Sequence, residues 1–98
     1  MAQVTQTRGS EADLLEIWAF IAENNMEAAD KVVSEINGKC QACADMPGVG
    51  RRREDILPGF RSLVSGDYVI FYQAIEGGVR IMRVLHGSRD LPSQFDQN

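Results

Sequence analysis

Leu14, Ile17, Trp18 and Ile21 recur at the spacing of one helical face, and Leu15 and Phe20 widen it. The pattern predicts a first helix that opens at Ser10. Ser10 and Asp13 have the offset of a capping box, and Glu11, Asp13 and Glu16 put negative charge near the helix N-terminus. Asn24-Asn25 is expected to end it, because Asn tolerates the left-handed conformation. A second helix is predicted over about 26–45, where Ala29, Val32, Val33, Ile36, Cys40 and Cys43 repeat with helical spacing. Met46-Pro47-Gly48-Val49-Gly50 stops it. So short a link between two helices implies an antiparallel hairpin.

After Pro58 the period changes. Residues 60–65, 68–74 and 79–86 are β-rich runs separated by Gly66-Asp67 and Glu76-Gly77-Gly78, both hairpin signals. The expected sheet is a three-stranded antiparallel meander. Its middle run carries Tyr68, Ile70 and Tyr72 on one side and Val69, Phe71 and Ile75 on the other, as a central strand should. In the last run, alternation puts Arg80, Met82, Val84 and His86 on one face and Ile81, Arg83 and Leu85 on the other. Residues 3–8 suit an edge strand, and Pro92 to Asn98 reads as a short frayed tail. The fold class is α+β: one domain of 98 residues, a two-layer sandwich of a helical hairpin on a small twisted antiparallel sheet.

Charge sharpens where to look. The formal net charge is −4, which argues against a dedicated nucleic-acid binder. Residues 1–45 hold three basic and eight acidic side chains, whereas residues 46–98 hold seven basic and six acidic, and those seven are all arginine. Arginine is a rigid fork for carboxylates and phosphates, so the second half is the better place for a site. No apolar run approaches the roughly 20 residues that span a bilayer. The polar start of the chain shows no secretory signal, so a cytoplasmic protein without membrane contact is expected.

Candidate chemistry is sparse. Cys40 and Cys43 form a lone C-x-x-C on the inward face of the second helix, which reads as two buried thiols rather than a zinc or redox site. One histidine cannot build a multi-histidine metal site, and no phosphate-loop, dinucleotide or zinc-protease motif is present. No metal or cofactor is expected. Arg51-Arg52-Arg53 is either an anion-binding loop or a solvated one balanced by Glu54 and Asp55. Arg83 interrupts an apolar strand face and therefore needs an acidic partner on the helices or an opening to solvent. His86 closes its strand and is either a general acid–base or a hydrogen-bonded strand end.

Three stretches carry a family resemblance. They are Ala12-Asp13-Leu14-Leu15-Glu16-Ile17-Trp18-Ala19-Phe20-Ile21-Ala22, then Pro47-x-x-Gly50-Arg51, then Phe60-Arg61-Ser62-Leu63 to Tyr68-Val69-Ile70-Phe71-Tyr72 with Ile81-x-Arg83-Val84-Leu85-His86-Gly87-x-Arg89-Asp90. In this order they resemble the RelE/ParE superfamily of toxins from type II toxin–antitoxin systems, most closely its ParE-like branch, also called plasmid stabilisation proteins. Phe20 stands where the family's first helix usually has Tyr.

The resemblance implies a toxin that inhibits DNA gyrase and replication, arrests growth, and is neutralised by a ParD-like antitoxin. The alternative it implies is a RelE-like endonuclease that cuts mRNA on the ribosome. A nuclease needs an acid–base pair and cations aimed at the phosphate, for which Glu54, Arg61 and His86 are the candidates. The binding toxin needs no catalytic residue. Its target-facing candidates are Arg61, Tyr68, Arg83, His86 and Arg89, since arginines and aromatics anchor interfaces. Leu15, Trp18 and Phe20 are the candidates for antitoxin contact. The implied assembly is a homodimer or a toxin–antitoxin hetero-oligomer.

Overall fold

A computed structural model describes residues 2–88. Its elements are β1 (Gln3–Gln6), α1 (Arg8–Ala22), α2 (Met26–Asp45), a 3-10 turn (Pro47–Val49), β2 (Arg51–Arg52), β3 (Phe60–Ser65), β4 (Tyr68–Ile75) and β5 (Gly78–His86). The tail expected beyond Pro92 lies outside the described residues. No helix of the described residues is long and apolar enough to cross a membrane.

The helical hairpin is as expected, but its caps differ. α1 starts at Arg8, and the extended residue Thr7 is its N-cap, accepting from the Ser10 backbone N–H at 3.1 Å. Ser10 is instead buried in the first turn, donating its hydroxyl to Gln6 Oε1 at 2.6 Å. That moves Asp13 into the second turn and frees its carboxylate for a partner across the fold. Nor does Asn24 or Asn25 turn left-handed: among the described residues only glycines have positive φ. Asn25 is extended and caps α2, its side chain accepting from the Ala28 N–H at 3.0 Å.

The sheet has five strands in the order β1-β5-β4-β3-β2, so the edge strand expected within residues 3–8 is present as β1 and β2 is an addition. The expected meander forms its antiparallel centre. β1 adds to β5 in parallel, pairing Gln3 with Gly78 through Gln6 with Ile81. β2 adds to β3 through two pairs, Arg51 with Ser62 and Arg52 with Arg61. Neither edge strand has the apolar alternation that marks a strand in sequence, one being polar and four residues long, the other two arginines.

β5 also departs from simple alternation. Tyr72 pairs with Ile81 while Phe71 pairs with Arg83, so Met82 is an extra residue and makes a β-bulge. The bulge resets the alternation. Val79, Ile81 and Val84 therefore all join the helix-side core, although the sequence pattern puts Val84 and Ile81 on opposite faces.

That core joins Ile17, Ile36, Cys40, Cys43 and Ala44 from the helices to Ile70, Tyr72, Val79, Ile81 and Val84 from the sheet. Each fully buried aliphatic side chain there contributes about 1.5–3 kcal/mol. Both thiols are buried, and burial first, then the neighbouring Cys43, pushes Cys40 up to about 12. Tyr72 ties the sheet to the end of α2. Its hydroxyl donates to the Pro47 carbonyl at 2.7 Å and accepts from the Gly50 N–H at 2.8 Å. A Cβ on Gly50 would collide with that hydroxyl, which accounts for the Pro47-x-x-Gly50 spacing. On the opposite face of the sheet, the Arg53 guanidinium stands 5.5 Å from the centroid of the Phe71 ring.

Candidate functional site

The cap at Thr7 sets the phase of α1, so that Asp13, Glu16, Ile17, Phe20 and Glu23 lie on one side of it. That side faces the start of β4 and the end of β5 across an open groove of about 640 Å³, completed by Tyr68, Val84, Leu85, His86 and Ser88. Ile17, Val84 and Leu85 are buried, whereas Phe20 is 71% exposed.

One end of the groove is fixed by Asp13. Its carboxylate accepts from Arg83 Nε at 2.7 Å and Nη2 at 2.9 Å, and from the Val84 backbone N–H at 2.9 Å. The hydrogen bond to Asp13 raises the pKa of Arg83 above its ordinary value, against the opposing effect of burial. The Arg83 aliphatic stem packs near Gly9 at the start of α1. This candidate target-binding arginine therefore has its acidic partner within the fold.

His86 and Tyr68 are cross-strand partners, with ring centroids 5.4 Å apart and planes at 84°. The Ser88 N–H donates to His86 Nδ1 at 3.1 Å, and Ser88 Oγ lies 2.7 Å from the same nitrogen. His86 is thus a hydrogen-bonded strand end that also lines the groove.

The remaining candidates are elsewhere. Arg61 on β3 donates from Nη1 to the Gly50 carbonyl at 2.8 Å. Glu54 follows β2, at the edge of the sheet away from β5, where its Oε2 accepts from the Gly59 N–H at 3.4 Å and lies 3.7 Å from Arg52. Following the pairs His86–Tyr68–Ser65 and then β3 back to Arg61 covers two strand spacings and four residues, roughly 16 Å. The fold does not bring Glu54, Arg61 and His86 together as an acid–base–cation centre. Arg89 lies outside the described residues.

The candidate antitoxin contacts also separate. Phe20 lines the groove; Leu15 is 72% exposed but does not line it. Trp18 is half-buried in the hairpin and donates from Nε1 to Asp30 Oδ1 at 2.8 Å. Of the arginine triplet, Arg53 pairs with Asp55 at 3.0 Å, while Arg51 and Arg52 form β2. Sequence reasoning missed Glu16, Ile17, Glu23 and Ser88 as groove residues. The first three follow Asp13 at helical spacing with Phe20, a signal that becomes a site only once the β5 end is placed opposite.

The family described as ParE toxin of type II toxin-antitoxin system, parDE, matches residues 4–91. The chain belongs to the ParE toxin family. Its similarity to Toxin ParE1 of Caulobacter vibrioides is 35% identity over 85 residues, covering 84% of this chain and 85% of that protein. Toxin ParE1 of Mycobacterium tuberculosis is 31% identical over 84 residues, covering 84% and 86%. A chain from the structure of the chromosomal ParDE TA system from P. aeruginosa superposes with a TM-score of 0.72 at 22% identity, covering 88% of this chain and 96% of that one. That likeness shows the fold, and the strand count adds detail that the sequence resemblance to ParE did not give.

Proposed function

We propose that this ParE-family toxin acts in the cytoplasm by binding DNA gyrase, blocking replication, and that a ParD-like antitoxin neutralises it by covering the groove beside α1. The observation that carries the reading is the groove itself. It joins exposed Phe20 to Tyr68 and His86 over an apolar floor of Ile17, Val84 and Leu85, the composition of a docking surface. A tail that is disordered when free and folds on binding suits such an open site. The distance between Glu54, Arg61 and His86 favours binding over RNA cleavage by that set. Arg83 is held two-pronged by the Asp13 carboxylate, so an RNA phosphate would have to compete with that partner for it. The exposed Phe20 and Leu15 also suit self-association of toxin without antitoxin.

The test is induction of the toxin alone in bacteria, with DNA damage response and mRNA ends read from the same culture. DNA damage with intact mRNA is the expected result. Cut mRNA without DNA damage would replace this reading with the ribosome-dependent nuclease, and no growth arrest would contradict both.

A further inference from the structure

The β2 edge of the sheet carries a pairing that stability does not explain. Arg52 on β2 and Arg61 on β3 are direct cross-strand partners. The Arg53 N–H donates to the Phe60 carbonyl at 2.8 Å, so Arg53 and Phe60 are a hydrogen-bonded pair of this antiparallel ladder. Such ladders alternate, which makes Arg52 and Arg61 a non-hydrogen-bonded pair, with Cα atoms about 4.5 Å apart and side chains at their closest. Like charges directly opposite one another destabilise a sheet. Both arginines share the face of Tyr72, which pairs with Arg61 and belongs to the helix-side core.

Nothing within the described residues neutralises this pair. Arg61 is half-buried, donates from Nη1 to the Gly50 carbonyl at 2.8 Å, and forms no ion pair there. None of its nitrogens is buried without a partner, so its other donors open to solvent. Arg52 has 72% of its side chain exposed and lies 3.7 Å from the equally solvated Glu54, a contact that holds it weakly. Charge on an edge strand keeps stray strands away, which accounts for Arg52. It does not account for Arg61, which sits on the inner strand and is anchored by a backbone carbonyl. The same alternation turns the Arg52 N–H and C=O away from β3, and no strand of the described residues lies beyond β2.

We propose that this edge is a contact for the toxin's target, taking an extended acidic segment of gyrase that hydrogen-bonds to the Arg52 backbone and places an Asp or Glu carboxylate between the guanidinia of Arg52 and Arg61. The inference rests on the gyrase reading above and goes further in naming the surface, the backbone mode and the charge of the segment. A carboxylate there replaces a like-charge pair by charge-assisted hydrogen bonds. A protein segment fits better than DNA, because the outward amide and carbonyl suit a strand and a net charge of −4 opposes a phosphate backbone. The edge is roughly 16 Å from the groove at His86, so it adds a contact to that surface and shares none of its residues.

The test uses purified toxin, gyrase holoenzyme and antitoxin. Arg52→Gln removes one of the two like charges from an exposed position, so the melting temperature should be no lower than that of the natural protein. Its affinity for gyrase without DNA should nevertheless fall at least about tenfold, with antitoxin affinity unchanged. In hydrogen exchange of the natural toxin, the Arg52 amide should exchange at least about tenfold more slowly when gyrase is bound. Natural toxin that binds gyrase with Arg52 unprotected, and Arg52→Gln that binds as tightly, would overturn the added strand while leaving gyrase as the target. A loss that appears only when gyrase holds DNA would make a phosphate the occupant and overturn it too, as would an equal loss of antitoxin affinity. Failure of the natural toxin to bind gyrase at all would remove both this inference and the gyrase reading.

Discussion

Arg83 and Asp13, 70 residues apart in sequence, meet in a two-pronged ion pair whose carboxylate also holds the Val84 N–H. The contact fastens α1 to β5 just past the bulge, where β1 no longer covers the strand. Asp13 has only 9% of its side chain exposed and Arg83 28%, so loss of the carboxylate strands a shielded cation and a buried N–H together. Asp13→Ala should therefore cost about 3–5 kcal/mol in urea denaturation. Arg83→Met keeps the stem against Gly9 and leaves the buried Asp13–Val84 hydrogen bond in place, so it should cost less than Asp13→Ala. Equal losses from the two variants would contradict this account of the clamp.

The Tyr72 clip makes a second prediction. Tyr72→Phe leaves the Gly50 N–H and the Pro47 carbonyl without their shared partner and should cost about 1–3 kcal/mol. Gly50→Ala drives a methyl into the hydroxyl and the Ser62 carbonyl and should cost about as much or more. In the Tyr72→Phe background the penalty of Gly50→Ala should shrink, since the hydroxyl is gone. A double-mutant cycle by thermal unfolding reads the difference; additivity would show that the hydroxyl is not the obstacle.

Both thiols should resist labelling in the folded protein. Cys40 is held neutral up to about 12, while its unfolded counterpart ionises near the ordinary thiol value of 9.0. The unfolded state thus loses its proton first as pH rises. The stability tied to the neutral thiol is complete below about pH 9 and falls by about 1.4 kcal/mol per pH unit between there and about 12. The stability gap between the natural protein and Cys40→Ala should narrow between pH 8 and 11 in guanidinium titrations. A gap that stays constant over that range would show the thiol is not shielded.

Much of this was legible in the sequence, for identifiable reasons. The helices and the three long strands announce themselves through apolar periods, and Arg83's need for an acidic partner follows from a charge on an apolar face. The bulge at Met82 was not legible, because one extra residue changes no local composition. β1 falls within residues 3–8, where an edge strand is expected, but its parallel pairing with β5 was not legible, and β2, two arginines, exists through its ladder with β3. The groove escaped for a related reason: Tyr68, Phe20 and His86 come from three elements, and only the tertiary fold brings them to one surface.

Phe20 and Leu15 offer a matched pair for the docking surface. They are almost equally exposed, yet only Phe20 lines the groove. Phe20→Ala should weaken antitoxin binding about tenfold or more with the melting temperature within a degree or two of the natural protein. Leu15→Ala should change neither. Calorimetric titration with purified antitoxin separates them, and a larger loss from Leu15→Ala would move the interface to the outer face of α1.

The most direct test of the central claim uses purified components. Gyrase, supercoiled plasmid, ATP and toxin are mixed and then treated with detergent and protease to reveal trapped DNA breaks. A toxin that acts by binding gyrase should yield linear plasmid in proportion to its concentration, and antitoxin added beforehand should suppress the product. Undamaged plasmid and unimpaired supercoiling at saturating toxin, together with cleavage of mRNA on purified ribosomes, would contradict it.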